Sequence, residues 1–237
     1  MIYSNDPTNR LNRIFLVYAF VVAYTSFCQY FKLTAINGTW ALFWHKASFI
    51  WPFYPPLYLM IAIILLDKKN YVKIEYILII CLPAMLIAGT YIFTNVLYSE
   101  LGHYWYGWRF NSVNNPYSFF VGMYFIIYGA LSIFLITKFY IRQKNKMKTR
   151  ALYAMIGLSI PIICVLIAEG ILPLFNNQIP PLGSLFTCIG TISLSISILK
   201  YKFIISVHSK TIDKLFGDSK DFLIIINQDH EIISGVK

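Results

Sequence analysis

The chain has 237 residues, of which 58% are hydrophobic, 18% aromatic and 13% charged, and its mean hydropathy is +0.62. A soluble domain carries about 25% charged residues, so this composition excludes a molecule that clothes itself in a polar, water-facing surface. The formal net charge of +10 would suit a nucleic-acid partner, but in so apolar a chain Lys and Arg report membrane topology first, and no nucleic acid is expected.

The opening "MIYSNDPTNRLNR" lacks the pattern of a cleaved signal peptide: the apolar run after it is a full span, with no small-residue cleavage site behind it. A helix needs ~20 mostly apolar residues to cross the hydrocarbon core. Six stretches meet this requirement in chain order, at 14–31, 41–66, 74–98, 117–140, 151–174 and 181–204. Lipid cannot satisfy an open backbone, and no stretch alternates as a barrel strand would, so all six are predicted helices. The predicted fold is an all-α polytopic membrane protein, a six-span bundle over residues 1–203.

The basic residues orient it. Arg10, Arg13, Lys68, Lys69, Lys73, Lys138, Arg142, Lys144, Lys146, Lys148, Arg150, Lys200 and Lys202 fall on one side if six spans alternate, against Lys32, Lys46 and Arg109 on the other. That bias predicts a multi-pass protein of the cell membrane with both termini cytoplasmic. The aromatic loop "YSELGHYWYGWRF" at 98–110, with Trp40 and Trp44, then lies at the outer headgroup level.

Several residues stand out against the apolar background. His45 and Lys46 open the second span; Lys46 snorkels outward or joins a polar network, and His45 is a simple hydrogen-bonding group or a pH-sensitive one. Pro52, Pro55 and Pro56 fall mid-span, while Pro83 and Pro161 interrupt spans three and five. Proline removes a donor and kinks a helix, giving either plain packing kinks or a broken-helix binding site. Glu169, in "VLIAEGILP", is costly in hydrocarbon and is expected to face the bundle. Its candidate partners at similar depth are Lys46, His45 and Arg109, with Trp108 beside the last. It serves as a structural tie or as part of a signal-sensing polar network. Gly157, Gly170, Gly183, Gly190, Ser193, Ser195 and Ser197 make the last two spans rich in small residues, which favours close helix approach. Cys28, Cys81, Cys164 and Cys188 lie in apolar runs without metal-ligand spacing. No catalytic, cofactor-binding or metal-binding motif is read.

Past the last span, 204–217 has helical spacing and is predicted to be a cytoplasmic linker. Residues 218–237 then read as a β-branched strand, the turn formers "NQDH" and a second apolar stretch. A lone hairpin is marginal in water, so the chain is expected to be a piece of a longer protein.

From 9 to 204 the chain resembles the N-terminal seven-helix membrane region of sensor histidine kinases. The resemblance rests on "NRLNRIF" entering a span, "ALFWHKASFIWPFYPPLYL", "YGWRF", "AEGILPLFNNQIPPLGS" and "ILKYKF" leaving the membrane. In that family a helical linker commonly leads to a PAS domain, whose first strand and turn look like "DFLIIINQDHEII". The family usually has one more span before "NRLNRIF", where only thirteen residues precede Ile14. His230 stands where PAS sequences usually place Gly, and Asn227 where they often place Asp. Neither a phosphoacceptor box nor an ATP-binding glycine motif is present in the sequence, and "SVHSKT" around His208 lacks a phosphoacceptor context.

The resemblance implies the membrane-embedded sensory input of a two-component histidine kinase, not itself an enzyme. Its partners would be the lipid bilayer, an unknown small-molecule or membrane signal, and a second copy in a homodimer of the parent kinase. A small transporter or channel is the alternative, and a membrane enzyme the third; neither paired polar repeats nor a catalytic grouping speaks for them.

Overall fold

A computed structural model describes residues 10–66, 74–112, 115–143, 145–171, 180–200, 223–226 and 232–236. Helix α1 (Arg10–Leu33) buries Leu11, Phe15, Tyr18, Val22 and Thr25, spaced three and four apart, and turns Phe20, Phe27 and Tyr30 outward. Asn37 caps the next helix, its side chain accepting from Trp40 N at 3.0 Å.

The expected second span is two helices rather than one kinked helix. Helix α2 (Gly38–Ala47) ends, a 3₁₀ turn (Trp51–Phe53) follows, and α3 (Tyr54–Leu65) restarts with Pro55 and Pro56 in its first turn. The physical reason is the carbonyls left without donors by Pro52, Pro55 and Pro56. Trp51 N donates to Ser48 O, Tyr54 N donates to Trp51 O, and the hydroxyl of Tyr124 donates to Pro52 O at 2.7 Å. Every backbone acceptor opposite a proline therefore finds a partner, and the prolines sit where a helix tolerates them. The pair still covers Gly38–Leu65, long enough to cross a membrane.

Helix α4 (Ile74–Phe93) carries Pro83 in its interior and stops short of the expected limit at 98. Thr94 Oγ1 donates to Thr90 O at 2.6 Å, the kind of local bond that competes with helix continuation. The aromatic loop is then a β-hairpin, which an all-α expectation omits. Strand β1 (Tyr98–Tyr104) pairs antiparallel with β2 (Gly107–Ser112), His103 opposite Trp108 and Leu101 opposite Phe110.

Helix α5 (Pro116–Arg142) starts at Asn115, whose side chain accepts from Ser118 N and donates to Val96 O, both at 2.7 Å. Helix α6 (Asn145–Val165) contains Pro161 and runs into a π-helical turn (Leu166–Ile171), and α7 (Gly183–Lys200) packs along α6. Helix α1 packs on α2, α3 and α7, and α5 lies between α3 and α6. The main core joins Phe15, Tyr18, Tyr58, Ile61, Leu158 and Leu194, with a smaller core of Ala84, Ile87, Val121 and Tyr124 between α4 and α5.

Among the described residues, five helices have the length and apolarity of a membrane span: Arg10–Leu33, Gly38–Leu65, Glu75–Phe93, Pro116–Arg142 and Ala151–Ala168. The sixth expected span corresponds to α7, whose apolar part, Gly183–Ile196, is shorter. Leu78, Ile79, Leu82, Phe119 and Phe134 project outward as exposed apolar side chains, as hydrocarbon solvent permits. The predicted linker at 204–217 lies outside the described residues. Of the final segment, β3 (Leu223–Ile226) pairs antiparallel with β4 (Ile232–Val236).

Candidate functional site

Three helices meet at one hydroxyl. Tyr18 of α1 is fully buried, and its Oη lies 3.1 Å from Tyr58 Oη on α3, 3.1 Å from Thr191 Oγ1 on α7, and 3.4 Å from the Thr187 carbonyl oxygen on α7. Two turns further along α1, Thr25 Oγ1 hydrogen-bonds the Tyr54 hydroxyl at the start of α3. Ser26 Oγ and Cys188 Sγ, 3.8 Å apart, add a second contact between α1 and α7. Tyr18 and Tyr58 also touch through their rings, with centroids 5.2 Å apart. Each hydroxyl has one proton to give, and the threonines also reach carbonyls of their own helices, Thr25 Oγ1 that of Val21 and Thr191 Oγ1 that of Thr187, both at 2.7 Å, so the interhelical bonds compete with local ones. Tyr18 keeps other partners when Tyr58 or Thr191 is removed, whereas removing Tyr18 leaves the buried Tyr58 hydroxyl short of one.

Beside this cluster lies a cavity of ≈ 40 Å³, between α3, α5, α6 and α7. Pro55, Phe125, Gly129, Pro161, Ile162, Val165 and Leu166 form apolar walls, and Tyr54, Tyr58 and Thr187 close the side towards the hydroxyl cluster. The π-helical turn begins at its rim, at Leu166. Such turns often accompany functional sites.

Helices α6 and α7 touch through backbone. Pro161 cannot donate to the carbonyl of Gly157, and that carbonyl faces Gly190 instead: a Cβ on Gly190 would stand 2.7 Å from Gly157 O and collide with the Pro161 ring. A Cβ on Gly157 would meet Leu194 Cγ at 2.9 Å. Of the small residues of the last two spans, Gly157 and Gly190 therefore serve an intramolecular α6–α7 contact, which Ser193 Oγ joins by donating to Tyr153 O at 3.3 Å.

The residues singled out in the sequence distribute differently. His45 has its Nδ1 2.9 Å from the Tyr91 hydroxyl, stacks on Phe110 at 4.1 Å between centroids, and meets Tyr98 edge-on at 4.6 Å. Trp108 donates from Nε1 to Ala35 O at 2.8 Å and packs edge-on against His103. Gly107, at φ 117°, lets β2 pass against the carbonyl of Leu33. His45 and Trp108 are thus both brought to β2, along whose alternating faces Trp108 and Phe110 share one side and Arg109 takes the other. Arg109 donates to the Tyr106 hydroxyl at 3.4 Å. Lys46 is half-buried on α2. The Glu169 backbone lies within the π-helical turn; its side chain falls outside the described residues. Pro52, Pro55 and Pro56 mark a break and Pro161 lies inside α6 and on the cavity wall. Among the described residues, no group of three His, Cys, Asp or Glu is placed to hold a metal.

The family model of the N-terminal 7TM region of histidine kinase matches residues 1–206. The chain belongs to this family. As a histidine kinase 7TM region it is the membrane sensory input region of a kinase. No curated protein and no solved structure matches the chain significantly. In this 7TM region, the cluster of Tyr18, Tyr54, Tyr58, Thr25, Thr187 and Thr191 escaped sequence reasoning. The only trace it leaves there is hydroxyl residues scattered through apolar runs, which resemble interfacial aromatics and local Thr-to-backbone bonds until the helices are packed.

Proposed function

We propose that this 7TM region senses a signal at its outer or intramembrane side and relays it through α7, the last span, to a cytoplasmic kinase output. The observation that carries the reading is the Tyr18 hydroxyl, which ties α1 and α3 to α7 in a single buried cluster. A bundle with two packings needs only a signal with different affinity for each. A polar cluster whose threonine hydroxyls have both interhelical and local acceptors, beside a close Gly157–Gly190 backbone contact, is suited to switching between discrete arrangements rather than deforming smoothly.

In this reading both termini are cytoplasmic, because thirteen basic residues lie on one side of the alternating spans and three on the other. The hairpin faces outward, the hairpin of β3 and β4 opens a PAS-like domain, and the parent kinase works as a homodimer. The bilayer and a small-molecule or membrane signal are its partners. This chain is expected neither to hydrolyse ATP nor to phosphorylate itself.

The test is a chimera of the chain with the cytoplasmic kinase module of a sensor kinase. Tyr58→Phe and Thr191→Val, which keep shape and delete one hydroxyl each, should shift basal autophosphorylation while membrane level and thermal midpoint change little. Output that follows only the amount of folded protein would refute the relay.

A further inference from the structure

We infer that the cavity between α3, α5, α6 and α7 is a binding site for a slender hydrocarbon chain, an acyl chain that enters sideways from the bilayer. The inference rests on the relay reading above and names the chemical class of ligand that would bias it.

The polar groups on the wall do not call for a polar ligand. Tyr54 is bonded to Thr25, Tyr58 to Tyr18, and Thr187 Oγ1 donates to Ser184 O at 2.9 Å. Water needs two to four polar partners, and apolar cavities stay dry. No charged side chain lines the space, so an ionic ligand would lose its hydration without compensation. Its ≈ 40 Å³ compares with about 10–15 Å³ for one water on this measure. It therefore has room for a few methylene-sized groups and is too small for a drug-sized molecule.

Access is lateral. Phe125, Val165 and Leu166 at the rim are half-buried, and their neighbours Ile126, Ile163 and Ile167 are 49%, 47% and 43% exposed on the lipid-facing surface. The walls hold the space open for covalent reasons. Gly129 lets Ile162 pack directly on α5, where a Cβ would stand 2.9 Å from Ile162 Cγ2, and so fixes that wall in place, while Pro55 and Pro161 present rings rather than flexible chains. A chain in this space presses on Pro161, which itself abuts Gly190 of α7. Occupancy therefore acts on the contact through which the last span is held.

The experiment is photolabelling of the full chain in nanodiscs, with one arm carrying a diazirine on the acyl chain of a phospholipid and the other a diazirine on a free fatty acid. Labelled residues are read by mass spectrometry. Label on Tyr58, Phe125, Ile162 or Val165 is expected to fall several-fold with excess unlabelled fatty acid. Label on the lipid-facing Leu82, Met85 and Leu86 of α4 should not. Val165→Phe, which enlarges a side chain on the cavity wall, should reduce the label on Tyr58, Phe125 and Ile162 in the same way, and the competition arm covers the case in which that variant folds poorly. The arm that labels tells whether bilayer lipid or a free amphiphile is the source. Label confined to lipid-facing residues, or cavity label indifferent to competitor, would overturn the site. The readout needs no kinase output, so its failure leaves the relay through α7 standing, and failure of the chimera leaves the site occupied.

Discussion

Gly190 decides how closely the last span can lie against its neighbour. Pro161 removes the donor that Gly157 O would have used, and Gly190 brings its bare Cα to that carbonyl, a contact of the weak C–H···O kind that helix interfaces use. An added methyl meets a proline ring and a carbonyl, neither of which can rotate away. Overpacking of this sort costs about 1–3 kcal/mol. Gly190→Ala should therefore lower the thermal midpoint in detergent by several degrees. Gly89→Ala and Gly122→Ala meet nothing within 4 Å and should leave the midpoint unchanged or slightly raised, since Ala is the better helix former. Equal losses at all three positions would show that the α6–α7 contact is not as close as described. At this scale the sequence is suggestive only: it marks glycines and a proline in two spans, without saying that they face each other.

At the scale of elements, the break in the second span and the hairpin at 98–112 both follow from local chemistry. Three prolines within five residues remove three donors, and the chain answers with a 3₁₀ turn and a hydroxyl from α5. The hairpin is clamped to the α1–α2 turn by Trp108 Nε1 on Ala35 O and by the passage of Gly107 beneath Leu33, and it reaches α4 through the Phe110–His45–Tyr91 stack. Trp108→Phe deletes one hydrogen bond, worth about 0.5–1.5 kcal/mol. Gly107→Ala adds a strained positive φ, which costs roughly 1–3 kcal/mol, and a backbone collision. Hydrogen exchange should quicken across 98–112 and 33–38 in both variants, more in Gly107→Ala, while α6 keeps its protection. Protection lost uniformly across the chain would mean that the hairpin is part of the bundle's main cooperative unit.

For the whole molecule, the consequence of the proposed topology is that loops alternate across the bilayer. Reporter fusions at 33–38 and 111–115 should read outside, and fusions at 144–148 inside. A cytoplasmic signal from the hairpin carrying Trp108 would invert the assignment, and with it the placement of the kinase output beyond α7. Because charged residues within about 15–20 residues of span ends set orientation, replacing Lys144, Lys146 and Lys148 with Gln should raise the inverted fraction, measured by the same reporters.

Membrane character, the positions of the spans and the family were all legible in the chain, because each depends on runs of residues whose summed transfer energy or motif order needs no neighbour. Helix limits were less so: a span read as 74–98 ends at Phe93, since hydrophobicity continues into a strand that lipid-scale patterning cannot tell from helix. The hydroxyl cluster was decided by tertiary structure alone. Tyr18 and Thr191 are separated by 173 positions, and a buried hydroxyl becomes a site only when packing removes water and leaves it one set of partners. The cavity arises in the same way, from side chains of α3, α5, α6 and α7 that line one space only because the four helices are held side by side.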